Sequence, residues 1–295
     1  MPPSEPPRVI PPGRAVSLPG RGTTWVREAG VRTPGVPTLV LLHGWTATAA
    51  LNWVHVFEPL SREFHVVALD HRGHGRGIPP TSLRRFRLQD CADDVAALAD
   101  ALELDRVVPV GYSMGGPVAA LTWRRHPARV AGLVLCATSR HFGGASGFRT
   151  ADLAVRGGVL GVATALRTAP PALRQRATDA LLERRRASGM PGWALAEVSG
   201  NDPAALAEAF AELRAFDAAA WIGEIDVPTA VVVTTQDRVV PPTRQRELAS
   251  EIPGSSVWPV DGDHAACIST PEAFVPVLIS ACQWVTARAG DAAGS

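Results

Sequence analysis

The chain has 295 residues, 29 of them basic and 28 acidic, for a formal net charge of +1, so nothing in its charge balance draws it to nucleic acid or an anionic membrane. With 46% hydrophobic and 19% charged residues, it is a globular chain long enough for one large domain or for a core domain with an insertion. Every basic residue is an arginine, which removes Schiff-base chemistry, lysine bases and a P-loop lysine together.

The segment 1–13 carries Pro2, Pro3, Pro6, Pro7, Pro11 and Pro12. It lacks the charged-then-apolar order of a secretion signal and is expected to be a disordered lead-in. Apolar runs such as 38–42 and 130–137 stop far short of the ~18 residues that a membrane span needs. Cys91, Cys136, Cys267 and Cys282 are widely spaced, with no Cys-x-x-Cys pair, and read as buried free thiols. Together these features point to a cytoplasmic protein with reduced thiols.

In chain order, the runs 15–18 and 23–28 read as an opening antiparallel pair joined by a Pro19-Gly20 turn. Continuous apolar runs follow at 36–42, 64–69, 107–110 and 130–136, ending at His43-Gly44, at Asp70, at Gly111 and just before Thr138-Ser139. That is the pattern of strands covered by helices on both faces. Between them, 88–102 is the clearest helix, with Leu88, Cys91, Val95, Leu98 and Leu102 at spacings of three and four, and another helix opens near Gly116. The stretch 140–225 is rich in Ala, Arg and Leu and has no convincing strand. It reads as a helical cap folded over one end of the sheet, with Leu153, Val159, Leu160, Leu166, Leu181, Leu182, Leu206, Phe210 and Leu213 available for inward faces. Strands at 229–235 and 256–260 then alternate with helices at 243–251 and 271–288. Such alternation predicts an α/β fold with a mostly parallel sheet. The expected division is a lead-in at 1–13, a core domain at 14–139 and 226–288, a helical cap at 140–225 and a disordered tail at 289–295.

Gly111-Tyr112-Ser113-Met114-Gly115 lies between a predicted strand and a predicted helix. In that context Gly-x-Ser-x-Gly exposes a serine on a sharp turn, because small flanking residues let strand and helix pass close together. A serine hydroxyl is a poor nucleophile at neutral pH and needs a base, with an acid to orient that base. Asp237 and His264 stand just beyond the two later strands, in the chain order Ser, Asp, His. Asp263 is the weaker choice of acid, since loop neighbours point differently. His43, His71 and His74 belong to turns with no fourth ligand at metal-like spacing, so no metal is expected. Cys267 and Asp70 read as a packing residue and a turn-shaping residue.

The motifs His43-Gly44-Trp45, Asp70-His71-Arg72-Gly73-His74-Gly75, Gly111-Tyr112-Ser113-Met114-Gly115-Gly116, Asp237-Arg238-Val239-Val240-Pro241 and Gly262-Asp263-His264 stand in the order of the α/β-hydrolase superfamily. From about residue 15 to 288 the chain resembles a serine-nucleophile, esterase/lipase-like member. The resemblance implies an eight-stranded, mostly parallel sheet with helices on both faces and a helical cap. It implies Ser113 as nucleophile, His264 as base, Asp237 as orienting acid, and the backbone N–H groups of Trp45 and Met114 as oxyanion-hole donors. The substrate pocket is expected to involve His43, Gly44, Trp45, Tyr112 and Phe210.

Dehalogenases and epoxide hydrolases of this superfamily carry aspartate where Ser113 stands, so Ser113 argues against both. The expectation is a serine hydrolase, free of metal and cofactor, that cleaves a small to medium, mostly apolar carboxylic ester through an acyl-enzyme. The apolar preference comes from the Leu-, Ala-, Val- and Phe-rich insertion. A cofactor-free perhydrolase (haloperoxidase-like) or a carbon–carbon bond hydrolase would use the same three residues, and a ligand-binding receptor on this scaffold can retain them. The expected partner is a small-molecule ester, not nucleic acid or membrane; the sequence leaves the oligomeric state open.

Overall fold

A computed structural model of the chain describes residues 7, 9–81, 85–143, 149–187 and 189–291. Eight strands, β1 (Gly13–Leu18), β2 (Gly22–Ala29), β3 (Thr38–Leu42), β4 (Val66–Leu69), β5 (Val107–Tyr112), β6 (Leu133–Cys136), β7 (Thr229–Thr234) and β8 (Ser256–Val260), form one sheet in the order β1-β2-β4-β3-β5-β6-β7-β8. The β1–β2 and β2–β4 pairings are antiparallel, and every pairing from β4 through to β8 is parallel. The helices are α1 (Ala49–Trp53), α2 (Phe57–Ser61), α3 (Leu88–Ala101), α4 (Gly115–Arg125), α5 (Arg149–Thr168), α6 (Pro171–Ala187), α7 (Gly192–Ser199), α8 (Pro203–Ala215), α9 (Pro242–Glu251), α10 (Ala266–Ser269) and α11 (Pro271–Asp291).

Side-chain parity sorts the strand residues into two apolar layers, because successive residues of a strand point to opposite faces. Leu39 and Leu41 of β3, Val108 and Val110 of β5, and Ala230 and Val232 of β7 pack with Trp53, Phe57, Leu60, Phe274 and Leu278 from α1, α2 and α11. Val40, Leu42, Val107, Val231 and Val233 face the other way, onto Leu88, Val95 and Leu98 of α3, Val118 of α4 and Leu248 of α9. Both faces are covered, which is why these strands read as unbroken apolar runs instead of alternating ones. All four cysteines are free and buried.

The structure moves several boundaries. β5 continues to Tyr112, since Gly111 and Tyr112 pair with Leu135 and Cys136. β6 starts only at Leu133, with Val130 making an isolated bridge to Val107. The short α1, α2 and α10 span too few turns to register as a period in the sequence.

Two segments expected to be disordered differ where they are described. Ile10 is buried with Ala50 and Val54, and Trp193 packs against this cluster. Arg27 Nη1 donates to the Pro11 carbonyl at 2.6 Å. At the other end α11 runs through Asp291, with Ala289 buried. The rest of the expected lead-in (1–6 and 8) and of the tail (292–295) lies outside the described residues.

Helices α5 to α8 fill the interval between β6 and β7, and the two ends of that interval are joined at its root. His141 bridges Asp217, the Ala218 N–H donates to the Arg140 carbonyl at 2.8 Å, and Arg140 pairs with Glu247 and Glu251 of α9. Both ends thus return to the C-terminal edge of neighbouring strands, so the insertion folds over that edge. Among the described residues no helix is long and apolar enough to cross a membrane.

Candidate active site

Ser113 stands at the turn from β5 into α4 with a φ of 51°, a left-handed conformation that costs a non-glycine residue on the order of 1–3 kcal/mol. Three hydrogen bonds hold it there. Its N–H donates to the Cys136 carbonyl at 2.9 Å, and its carbonyl accepts from the Gly116 N–H at 2.9 Å and from Thr138 Oγ1 at 2.8 Å. The flanking glycines answer to backbone crowding: a Cβ on Gly111 would sit 2.2 Å from the Gly115 carbonyl oxygen, and one on Gly115 would sit 2.1 Å from that of Leu42. Strand and helix pass close enough to leave the hydroxyl at the tip of the turn.

The loops after β7 and β8 bring two more side chains to it. His264 Nε2 lies 3.0 Å from Ser113 Oγ, and His264 Nδ1 lies 2.7 Å from Asp237 Oδ2. With Nδ1 donating to the carboxylate, Nε2 is the acceptor, so the arrangement can take the serine proton and hold the resulting charge. Asp237 is itself fixed, with Oδ1 accepting from the Val239 and Val240 N–H groups at 2.8 Å and Oδ2 accepting from Thr234 Oγ1 at 2.9 Å. Burial alone would push its carboxyl up. The hydrogen bond and charge of His264, the Val240 amide and the Thr234 hydroxyl outweigh burial and hold it below the usual carboxylate value. Tyr112 supports the loop from beneath, its hydroxyl donating to the His264 carbonyl at 2.9 Å. Asp263 faces elsewhere, accepting from the Ala265 N–H and from Ser269 Oγ.

Among the described residues, neither the Trp45 nor the Met114 backbone N–H donates to a protein acceptor. Met114 caps the N-terminus of α4, where unpaired amides and the helix dipole both favour negative charge. The neighbouring Gly44 N–H is taken by Asn52 Oδ1 at 2.9 Å, and Asn52 Nδ2 in turn donates to Cys267 Sγ at 3.6 Å. Burial pushes the Cys267 thiol up to about 12, so it is a protonated packing group beside the site.

Ser113 and His264 open into a cavity of about 660 Å³. Gly44, Trp45 and Tyr112 line it, together with Leu51, Val54 and Ile268 from the core and Met190, Pro191, Trp193 and Ala194 from the inserted helices. Two expected pocket residues stand elsewhere. His43 is fully buried beneath the cavity, with Nδ1 donating to the Gly44 carbonyl at 2.8 Å and Nε2 accepting from the His71 N–H at 2.9 Å. Phe210 lies behind the wall, its ring 5.2 Å from that of Trp45. Leu166 borders a different hollow, shared with Arg174 and Pro203. The sequence reading missed Met190 and Trp193; the available signal was Pro191-Gly192 before an apolar turn carrying one of the two tryptophans of 140–225.

His43, His71 and His74 pack ring against ring, at centroid distances of 4.4 Å and 5.3 Å from His43. Burial lowers His43 to about 4 and His74 to about 3, and takes His71 well below its ordinary value. Among the described residues no group of three or more His, Cys, Asp or Glu side chains is placed to hold a metal ion.

The alpha/beta hydrolase fold family model matches residues 37–271. A protein of Agrobacterium fabrum, provisionally named a carbamate hydrolase, is 33% identical over 81% of this chain and 90% of its own length. The pimeloyl-[acyl-carrier protein] methyl ester esterase of Chromobacterium violaceum is 30% identical over 82% of this chain and 92% of its own. Among solved structures, the enol-lactonase of Burkholderia xenovorans LB400 superposes with a TM-score of 0.71 at 24% identity, covering 92% of this chain and all of that one. With the sheet order and the family match in agreement, the chain belongs to the alpha/beta hydrolase fold family and is a hydrolase.

Proposed function

We propose that the protein hydrolyses small to medium, mostly apolar carboxylic esters through an acyl-enzyme formed on Ser113. The observation that carries the reading is the hydrogen-bonded series Asp237–His264–Ser113, at 2.7 Å and 3.0 Å, opening into a largely apolar cavity. In this mechanism His264 Nε2 takes the Ser113 proton as Oγ attacks the ester carbonyl carbon. The carbonyl oxygen gains negative charge and accepts hydrogen bonds from the Trp45 and Met114 N–H groups, donors fixed before the reaction begins. The imidazolium, held in place by Asp237, gives its proton to the departing alcohol. Water then attacks the acyl carbonyl carbon while giving a proton to His264 Nε2; as the bond from that carbon to Oγ breaks, the imidazolium returns the proton to Ser113 Oγ and the carboxylic acid leaves. The similarity to an ester esterase supports the choice of ester. A carbamate presents the same carbonyl to the same groups, and the similarity to the carbamate hydrolase keeps it in the test.

The experiment joins labelling and turnover. A fluorophosphonate probe is expected to label the wild-type protein and not Ser113→Ala; labelling of that variant at the wild-type rate would remove the nucleophile. Across p-nitrophenyl esters from acetyl to decanoyl, kcat/KM is expected to rise by up to about fourfold per methylene, since each buried methylene contributes roughly 0.8 kcal/mol, and to fall once the cavity is full. Trp193→Ala, which removes a wall, is expected to shift the optimum to a longer chain. A protein that turns over a carbamate and none of these esters would overturn the ester reading.

A further inference from the structure

The two proposed oxyanion donors are held in unlike ways. Met114 belongs to the turn that β5, β6 and α4 clamp, whereas Trp45 lies on the loop after β3, outside any regular element. The residue that follows Trp45 is Thr46, whose φ of 64° is again left-handed, a conformation that a residue with a branched Cβ keeps only under outside restraint. On the core side the restraints are the Gly44 N–H bond to Asn52 and the Ala47 N–H bond to the Gly44 carbonyl at 3.2 Å, which closes the turn over Trp45 and Thr46. On the other side it comes from the inserted helices.

Asn201 lies in the turn between α7 and α8 and is 8% exposed. Its Nδ2 donates to the Thr46 carbonyl at 3.0 Å and its Oδ1 accepts from the Gly75 N–H at 2.7 Å, so one amide spans two core loops. The turn fits closely against them: a Cβ on Gly200 would lie 2.3 Å from the Gly75 carbonyl oxygen, and the Asp202 N–H donates to the Gly73 carbonyl at 3.1 Å. One turn of helix further on, the Leu206 carbonyl accepts from Trp45 Nε1 at 2.9 Å, and Phe210 backs the Trp45 ring. Trp45 is thereby bracketed by its own indole and by the next carbonyl, both tied to the insertion.

We infer that Asn201 is a positioning residue for catalysis: by holding the Thr46 carbonyl it keeps the strained loop in the shape that aims the Trp45 N–H at the developing oxyanion. This rests on the ester-hydrolase reading above and extends it, giving the insertion a part in the chemical step as well as in the choice of substrate. Loss of the anchor lets Thr46 relax toward negative φ and turns the peptide beside it. The transition state loses part of one donor while ground-state binding in the cavity is unchanged.

The test uses the full-length protein and an acetyl ester, which is too small to feel the far cavity wall. Asn201→Ala is expected to lower kcat by roughly tenfold, less than the 10²–10³ lost when an oxyanion donor is removed outright, with KM within about twofold. Affinity for a boronic acid that forms a tetrahedral adduct on the serine is expected to weaken by the same factor. Asn201→Asp keeps the acceptor for the Gly75 N–H but turns an oxygen toward the Thr46 carbonyl. It is expected to lose at least as much kcat, and it carries the test if Asn201→Ala melts below the assay temperature. A folded variant of either kind with kcat within twofold of wild type overturns the inference, as does a defect that appears only in KM for long acyl chains. Wild-type turnover that survives Ser113→Ala would sink the acyl-enzyme reading itself; Ser113-dependent turnover with unaltered Asn201 variants sinks only the anchor.

Discussion

Glycine has opposite meanings in two regions of this molecule. Around Ser113, methyl groups on Gly111 or Gly115 would fall little more than 2 Å from backbone oxygens, whereas Gly157, Gly158 and Gly161 on α5 have nothing among the described residues within 4 Å of the position a Cβ would take. The same split runs through the side chains. All five residues of β3 are buried, while α6, three times as long, buries none among those described. The core is specified by close approach, where one methyl too many breaks the geometry. The insertion is specified by a few fixed points: the apolar contacts of Ala209 and Leu213, and of Ala194 and Val198 with Leu51, and the buried polar contacts of Glu197 and Asn201.

The strongest of those fixed points offers the largest effect. Glu197 on α7 accepts from Arg27 Nη2 on β2 at 3.0 Å, and both side chains are 8% exposed; Thr48 Oγ1 is also directed at Glu197, at 3.4 Å. Removing one member of such a pair leaves the other charge largely buried without its counter-ion, at a cost of about 3–5 kcal/mol, whereas replacing both by apolar residues of similar volume is often neutral. Glu197→Ala is therefore expected to lower the urea midpoint sharply, and the double replacement Arg27→Met with Glu197→Leu to recover most of the loss. If insertion and core were separable units, Glu197→Ala would loosen the helices and leave the global midpoint unmoved.

That contrast also explains what the sequence could disclose. Ser113, Asp237 and His264 each follow a strand whose end is punctuated by glycine or aspartate, and the fold requires side chains to converge at that edge, so the three residues that the hydrogen bonds join were legible from motif and position. The two-layer sheet was legible because parity and continuous apolar runs follow from burial on both faces. The cavity wall was not. In α7 nearly every residue from Trp193 to Val198 is apolar, so no periodicity selects the face that meets the substrate. Phe210 was the large apolar residue on α8, yet its register sends it behind Trp45 rather than into the cavity. Asn201 left no signal at all, since its partners are backbone groups 126 and 155 residues away.

A second effect separates the regions by pH. The buried rings of His43, His71 and His74 are all in the core, and 149–225 contains no histidine. Burial depresses each of them, His43 to about 4 and His74 to about 3; in the unfolded chain histidine titrates near 6.5. The folded value is the lower one, so the unfolded state takes up protons first. Stability is whole above about pH 6.5 and declines as the pH falls toward about 4, by on the order of 3 kcal/mol for His43 alone. Asp237, also held low, adds its loss only below the ordinary carboxylate value, while Asp70, pushed up by burial, works in the opposite direction. The urea midpoint is thus expected to drop between pH 7 and pH 5, and His74→Leu to flatten that slope. A midpoint constant over this range would mean that the folded protein takes up as many protons as the unfolded chain, and so that the three rings are not held neutral.

The smallest expected effect lies on α5. Gly157, Gly158 and Gly161 are exposed positions within α5, and glycine in an exposed helix interior is less favourable than alanine by roughly 0.8–1 kcal/mol, mainly because the unfolded chain has more conformations to lose. Among the described residues nothing would meet the added methyl. Gly158→Ala is therefore expected to raise the melting temperature by a few degrees, with turnover of an acetyl ester unchanged, because none of the described side chains of α5 lines the cavity beside Ser113. The matching change in the core, Gly115→Ala, would drive a methyl into the Leu42 carbonyl and is expected to abolish turnover. Should Gly158→Ala destabilise the protein, that face of α5 would have to be covered in solution, and the insertion would then obey the same rule of close approach as the sheet.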